Sequence, residues 1–285
     1  MDILEDNNKI KDKIKQSLGL FNLPTEVNIS TMTVCCKLDT VFILENIAKY
    51  LELSNTGILS IAYGDSSNPA TNRTLLPKKN TNKKKKKKKA FFNQVSVYIH
   101  APLKKKKKMV NLKIFSNGSF QMTGCQSIHI VLDALYKILS KLSETKAIIK
   151  HKTMTIEEKP FSLNPEIIKM ENIRELSIAM INSDFKFPAK INRLALYDIL
   201  KSDGYEVKFD PTKHASVDIK YQCSIDKKIS ILVFEDGPIL ITGAKNCEQI
   251  HKSYNFINQY LLERVTKILK PEIKEKNKIF TLMRN

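Results

Sequence analysis

Polar and apolar residues alternate along much of the segment from Asn111 to Gly124, and the more apolar segment from Ser230 to Gly243 repeats its pattern of a strand, a turn and a strand. A period of two is the spacing at which side chains return to the same face of a strand. Each segment contains a dipeptide, Asn117-Gly118 or Asp236-Gly237, whose residues accept the positive φ of a two-residue turn. Both segments are therefore predicted to be β-hairpins.

A segment with helical spacing of apolar residues follows each predicted hairpin. The second segment repeats the first at a constant offset of 119 residues, at which Phe115 also corresponds to Phe234 and Thr123 to Thr242. The chain is therefore predicted to contain an internal repeat. The apolar helical positions are Val131, Leu135, Ile138 and Leu142 in the first copy and Ile250, Tyr254, Ile257 and Leu261 in the second.

The repeat extends upstream at other offsets. Residues 29–51 match residues 178–200 at an offset of 149, and the alternating residues 95–99 match 217–221 at an offset of 122. The first copy thus carries about 27 additional residues, which include polar, turn-forming residues and a lysine run. We expect an unordered, lysine-rich surface insertion at about residues 64–91.

Each copy is predicted to consist of a strand, a helix, a run of antiparallel strands and a long helix. This order is typical of an α+β fold in which helices cover one face of the sheet and leave the other face free. The predicted organisation is an N-terminal extension (1–24), a first repeat (25–145), a link (146–173), a second repeat (174–269) and a C-terminal tail (270–285).

The second hairpin is apolar on both faces. Alternation assigns Leu232, Phe234, Leu240 and Thr242 to one face, while the other carries isoleucines and a valine. Because helices are expected to cover only one face, the other is an exposed apolar surface, which is typical of an interaction site. A second hidden layer or a dimer interface would cover it equally well, and the alternation leaves these alternatives open.

The chain is basic. Its 285 residues have a formal net charge of +19, of which the runs Lys83–Lys89 and Lys104–Lys108 contribute 12. A basic balance favours an anionic partner, either nucleic acid or an anionic membrane, whereas lysine runs also occur as solvated loops or as targeting signals. No stretch of 18 uncharged apolar residues is present, so we expect no membrane span.

Catalytic and metal-binding patterns are absent from the sequence. The five cysteines form no CxxC pair, which favours free thiols in a reducing compartment, and the five histidines have no metal-binding spacing. No P-loop, nucleophile-elbow or HExxH motif occurs. We therefore expect no enzyme activity, no cofactor, no metal and no small-molecule substrate.

Three segments carry a resemblance to a known family. Leu232 to Lys245 (LVFEDGPILITGAK) resembles the hairpin of TATA-box-binding proteins. Ile29 to Asp39 (ISTMTVCCKLD) and Asp184 to Pro188 (DFKFP) resemble the first strand of each half of that family and its continuation. The resemblance covers roughly residues 25–145 and 174–265, in family order, and identifies the chain as a divergent member.

The resemblance implies a pseudo-twofold saddle of two repeats. In the family, a curved antiparallel sheet of about ten strands lies in the DNA minor groove, helices cover the convex face, and apolar wedges open base steps and bend the duplex. Phe92, Phe115 and Phe234 match three of the four wedge phenylalanines. The fourth aligns with His214, and Phe209 is the alternative if the loop is rearranged.

The resemblance also implies contacts to the groove floor and to phosphates. Lys113 and Gln121 make the floor of the first copy more polar than in the family, and no asparagine of the second copy aligns with the base-contacting one. Minor-groove readout is already degenerate, so we expect a relaxed choice of sequence. The expected floor residues are Asn28, Ile29, Thr31, Gln121, Thr123, Leu232, Leu240 and Thr242, and the expected phosphate contacts are Lys113, Lys220 and Lys245.

By this resemblance we expect a general transcription initiation factor that binds and bends A·T-rich promoter DNA. Its partners would be double-stranded promoter DNA, proteins like transcription factors IIA and IIB docked on the helices around 128–142 and 247–269, and RNA polymerase machinery. The alternative is a degenerate interaction module that recruits or blocks this machinery without bending DNA. A bias toward Lys, Ile and Asn is typical of an AT-rich genome, such as that of a large DNA virus or a protist. The expected location of the protein is therefore the nucleus or a cytoplasmic viral replication factory.

Overall fold

A computed structural model describes residues 23–64, 71–77, 93–101, 108–150 and 153–270. These residues form two compact units. The first unit contains the described residues between Met32 and Ala179, and the second contains residues 23–31 and 180–270. Both units combine antiparallel strands with helices, which confirms the predicted α+β class.

The first unit has a six-stranded antiparallel sheet in the order β1-β6-β5-β4-β2-β3. Two helices pack against it, α1 on β2 and β4, and α2 on β4 and β6. The strands are β1 (Asn28–Lys37), β2 (Ile58–Tyr63), β3 (Thr71–Thr74), β4 (Gln94–Ala101), β5 (Lys108–Phe115) and β6 (Ser119–Cys125), and the helices are α1 (Leu44–Tyr50) and α2 (Ile128–Leu142).

The second unit repeats this arrangement with the strand order β10-β11-β12-β13-β9, and β7 and β8 form a separate two-stranded sheet. The helix α4 packs on β11, β12 and β13. The common order of strand, helix, antiparallel strands and helix confirms the predicted repeat. The elements are β9 (Arg174–Lys186), α3 (Arg193–Ser202), β10 (Val207–Lys208), β11 (Ser216–Ser224), β12 (Lys227–Phe234), β13 (Pro238–Ala244), α4 (Cys247–Glu263) and α5 (Val265–Ile268).

The hairpin turns of both units are closed by glycine against a neighbouring segment. Gly118 and Gly237 have φ of +86° and +91°. Their carbonyl oxygens accept hydrogen bonds from the amides of Leu38 (3.0 Å) and Phe187 (2.9 Å). A Cβ would lie 2.0 Å from the Leu38 oxygen or 2.2 Å from the Phe187 oxygen, so both the conformation and the close approach require glycine at each turn.

The long helices begin at side-chain caps and bury the apolar positions that the sequence predicts. The Ser127 hydroxyl accepts from the Ile130 amide (3.4 Å), and the Asn246 side chain accepts from the Gln249 amide (2.9 Å). These bonds satisfy backbone donors that the first turn leaves unpaired. Of the eight predicted positions, only Tyr254 is half-buried.

Part of the predicted insertion is ordered, so the expectation of an unordered segment is wrong for residues 71–74. These residues form β3, which pairs with β2. The Arg73 guanidinium also donates to the backbone oxygens of Ala48 and Leu51 at the end of α1. These bonds fix the strand at the sheet edge. The run Lys83–Lys89 lies outside the described residues.

The segment 146–173, predicted as a link, is folded. Its strands pair with each other as a hairpin, and Phe161 after the hairpin is fully buried in the first unit. The Phe161 oxygen accepts from the Ile43 amide (2.9 Å), and the Pro160 oxygen accepts from Asn46 Nδ2 (2.7 Å). The elements are β7 (Thr145–Lys150), β8 (Thr155–Pro160) and two 3-10 helices (Pro165–Ile167 and Met170–Asn172).

Candidate nucleic-acid interface

The sheet of the second unit has one face that carries none of the helices in the described part of the chain, here called the second helix-free face. In the strand register Leu232 lies opposite Leu240, and Ser230 lies opposite Thr242. These residues are half-buried, whereas the residues between them are fully buried under the helices. The four sequence-predicted residues of this face, Leu232, Phe234, Leu240 and Thr242, therefore lie on the same side of the sheet.

Phe234 ends β12 on this face, and His214 lies beside it. The ring centroids are 6.1 Å apart, and His214 Nδ1 is 2.7 Å from the Ser216 hydroxyl oxygen. The alternative wedge, Phe209, packs instead against Tyr197, with the ring centroids 6.2 Å apart. The aromatic neighbour of Phe234 among the described residues is thus His214.

An open cavity of about 730 Å³ adjoins the second helix-free face. The floor residues Leu232 and Thr242 line it together with His214 and Phe209. The cavity joins apolar floor, aromatic rings and polar groups in one concave surface, which suits an extended ligand more than an enclosed small molecule.

Three charged residues of the second helix-free face interact with each other or with nearby hydroxyl groups. Lys220 Nζ lies 2.9 Å from Asp218 Oδ2 and 2.7 Å from the Ser230 hydroxyl, and the Ser30 hydroxyl donates to Asp184. Asp218 lies opposite Leu232 and Asp184 lies opposite Leu240. The sequence analysis missed both carboxylates because only the strand register brings them opposite the leucines.

Asn182 is a further residue that sequence alignment missed. It lies opposite Thr242 in the register of β9 with β13 and is half-buried. Its Oδ1 atom is buried without a hydrogen-bond partner in the described part of the chain. Counting back in steps of two from Lys186 places Asn182 on this face, so the alternation of β9 carried the signal.

The first unit has an equivalent face, here called the first helix-free face, with a different floor. Lys113 lies opposite Gln121 at the centre, and Thr123 lies opposite Asn111. All four residues are half-buried. Neither Lys113 nor Gln121 has a side-chain hydrogen bond or ion pair among the residues that the structure describes.

Phe115 ends β5 on the first helix-free face, at the position that Phe234 occupies in the second unit. It lines an open cavity of about 320 Å³ together with Gln121 and Lys37. Its predicted partner, Phe92, lies outside the described residues.

The remaining residues predicted to contact DNA lie at the start of β1 and after β13. Asn28 is exposed at the start of β1, where Ile29 and Thr31 are half-buried. Lys245 is exposed after β13, and only its backbone amide is bonded, to Gln249 Oε1 at 2.8 Å. These side chains are accessible, and the structure brings none of them into a hydrogen-bonded cluster within the described ranges.

The described residues contain little that would support other chemistry. Burial raises the pKa of the Cys36 and Cys125 thiols to about 12, and the neighbouring Cys35 adds to the effect at Cys36. These thiols are therefore protonated and unreactive at neutral pH. No group of three or more potential metal ligands occurs in this part of the chain, and none of its helices is long and apolar enough to cross a membrane.

Comparisons with known proteins agree with this arrangement. No protein-family model matches the chain. The chain is 35% identical over 281 residues to the TATA-box-binding protein-like protein of Acanthamoeba polyphaga mimivirus, a match that covers 93% of this chain and 74% of that protein. Among solved structures it is similar in fold to the TBP of Methanococcus jannaschii, with a TM-score of 0.51, 19% identity, and coverage of 84% of this chain and 99% of that one.

Proposed function

Because the chain belongs to the TATA-box-binding-protein-like family, we propose that it is a transcription initiation factor that binds and bends A·T-rich promoter DNA through the minor groove. One observation carries this proposal. Phe115 and Phe234 end equivalent strands on the helix-free faces of their units, where each is half-buried. A side chain of this size that is only partly covered by its own protein is suited to insert between base pairs.

The floor residues support contact with the minor groove. Leu232 and Leu240 offer apolar surface to sugars and base edges, and Thr123 and Thr242 offer hydroxyl groups. Phosphate contacts would come from exposed lysines such as Lys245. Such contacts add affinity without adding sequence preference.

The outer surfaces of α2 and α4 are the proposed docking sites for other proteins of the transcription machinery. Tyr136 on α2 is 56% exposed although it is aromatic. On α4, Glu248 and Lys252 form an exposed ion pair (2.7 Å). Proteins like transcription factors IIA and IIB are the expected partners of these surfaces.

Duplex bending tests the proposal. An A·T-rich duplex labelled at both ends should show increased energy transfer when the protein binds. Phe115→Ala combined with Phe234→Ala should return the transfer to the level of the free duplex, because the wedges are lost while the buried core is untouched. Tyr136→Ala is the matched control: it removes a comparable aromatic ring from α2 and should leave the bend intact.

A second candidate function is a protein-interaction module that does not bend DNA. The carboxylates of Asp184 and Asp218 on the second helix-free face favour it, because negative charge opposes the approach of a phosphate backbone. Under this alternative the wild-type protein would bind labelled duplex without any increase in energy transfer, or would not bind it. Either result would contradict the promoter-bending proposal.

A further inference from the structure

The two helix-free faces differ at their centres. Lys113 and Gln121 form the central cross-strand pair of the first face, and Leu232 and Leu240 form the corresponding pair of the second. The pairs correspond residue by residue at the repeat offset of 119. One unit therefore presents hydrogen-bonding groups where the other presents only methyl groups.

The polar pair of the first unit is available to a ligand. Both side chains are half-buried, and neither has a partner in the described part of the chain. The central pair of the second unit, Leu232 and Leu240, offers no hydrogen-bonding group. The carboxylates opposite these leucines are engaged or buried, since Asp218 Oδ2 accepts from Lys220, Asp218 Oδ1 is buried, and Asp184 accepts from the Ser30 hydroxyl. Among the described residues, unpaired donors and acceptors thus lie at the centre of the floor in the first unit, whereas in the second unit the unpaired Asn182 oxygen lies beside Thr242, away from the central pair.

The minor groove gives this difference a consequence. An A·T pair presents only acceptors there, whereas a G·C pair adds the donor N2 amino group of guanine. The side-chain oxygen of Gln121 can accept from this amino group, while Lys113 can donate to the acceptors beside it. Against Leu232 and Leu240 the same amino group would lose its hydrogen bond to water without replacement, which is costly.

We propose that the first unit accepts G·C pairs in its half of the DNA site whereas the second unit requires A·T pairs. The preferred site is therefore asymmetric, and Lys113 and Gln121 determine which half tolerates guanine. This inference rests on the proposed function, since it assumes that both helix-free faces contact the minor groove.

A base analogue tests the proposal by changing only the minor groove, whereas a guanine would also change the pattern of donors and acceptors in the major groove. In a bound A·T-rich duplex, each adenine is replaced in turn by 2,6-diaminopurine, which adds the minor-groove amino group to an A·T pair. In one half of the site each replacement should weaken binding by about tenfold or more, in line with the usual cost of a mismatched pair. In the other half the change should stay below about twofold.

Substitution of the central pair in one unit by that of the other should remove the tolerance or extend it to both halves. Lys113→Leu with Gln121→Leu gives the first unit the residues of the second and should make both halves intolerant of the amino group. Leu232→Lys with Leu240→Gln should make both halves tolerant. Lys49→Leu is the control for the lost charge, because Lys49 is an exposed residue of α1 in the same unit and should leave the pattern unchanged.

The outcomes separate this inference from the function on which it rests. Wild-type protein that bends the duplex but responds equally to the analogue in both halves would overturn the inference alone, as would exchanged variants with the wild-type pattern. Wild-type protein that does not bend the duplex would overturn both. If the double variant fails to fold, Gln121→Leu alone is the substitute, because it changes one half-buried side chain. It should increase the loss of affinity that the analogue causes in the half of the site bound by the first unit.

Discussion

At the scale of single residues, Gly237 is where backbone geometry most constrains the sequence. Its φ is +91°, and an added Cβ would lie 2.2 Å from the Phe187 oxygen. We expect Gly237→Ala to lower the free energy of unfolding by more than about 2 kcal/mol, because the left-handed conformation costs roughly 1–2 kcal/mol and the contact forces the backbone to move. Denaturant titration measures the change.

Gly204 provides the control within the same unit. It has a φ of +82°, but nothing lies within 4 Å of its would-be Cβ. Gly204→Ala should therefore cost only the conformational part, about 1 kcal/mol. If both substitutions lowered the free energy of unfolding equally, the close approach of Gly237 to Phe187 would make no contribution to the cost of Gly237→Ala.

At the scale of elements, the hairpin of β7 and β8 is tied to the first unit through Phe161. We expect Phe161→Ala to destabilise the unit by about 3–5 kcal/mol, because the ring is fully buried and its loss leaves a cavity. Ile156→Ala on β8 removes a side chain that is 71% exposed and should change stability by less than about 0.5 kcal/mol. Thermal and denaturant unfolding of the two variants distinguishes an anchored hairpin from a passive link.

The elements that sequence predicts well are those fixed by local pattern. The positions of the hairpins at Gly118 and Gly237 and of the helix α2 follow from dipeptide and apolar spacing within a few residues. The prediction of two-residue turns is wrong, because three residues separate the strands of each hairpin and only the glycine, not Asn117 or Asp236, has a positive φ. The strand β3 does not follow from local pattern, because its residues are all polar and show no alternation, and it is fixed by pairing with β2 and by the bonds of Arg73 to the backbone at the end of α1. Local polarity there indicates a loop, and tertiary contacts override it.

The candidate site likewise contains residues that local pattern predicts and residues that it does not. Alternation alone assigns Leu232 and Phe234 to one face and the residues between and beside them to the other. Which residues stand opposite each other across strands requires the register, which alternation fixes only by parity. Asp184 and Asp218 could therefore not be predicted as flanking the leucines, although each lies on a strand whose alternation is regular.

At the scale of the whole molecule, the proposed function assigns the strength of DNA binding to charge and the bend to Phe115 and Phe234. Replacing Lys83–Lys89 by seven serines lowers the formal net charge from +19 to +12 without changing the chain length. Each phosphate contact contributes roughly 0.9 to the slope of log affinity against log salt concentration. If the run contacts phosphates, the slope should become shallower by several units while the energy transfer of the saturated complex stays unchanged.

Anisotropy titrations over a series of potassium chloride concentrations measure that slope, and the matched comparison is Phe115→Ala with Phe234→Ala. The phenylalanine variant should retain the wild-type slope and lose the bend, because it keeps every charge. The serine variant should do the reverse. A serine variant with the wild-type slope would show that the run Lys83–Lys89 makes no phosphate contact. Electrostatic attraction would then come from the remaining basic residues, which include the run Lys104–Lys108 and, in the folded units, Lys113 and Lys245, whose side chains have no ion-pair partner within the described ranges.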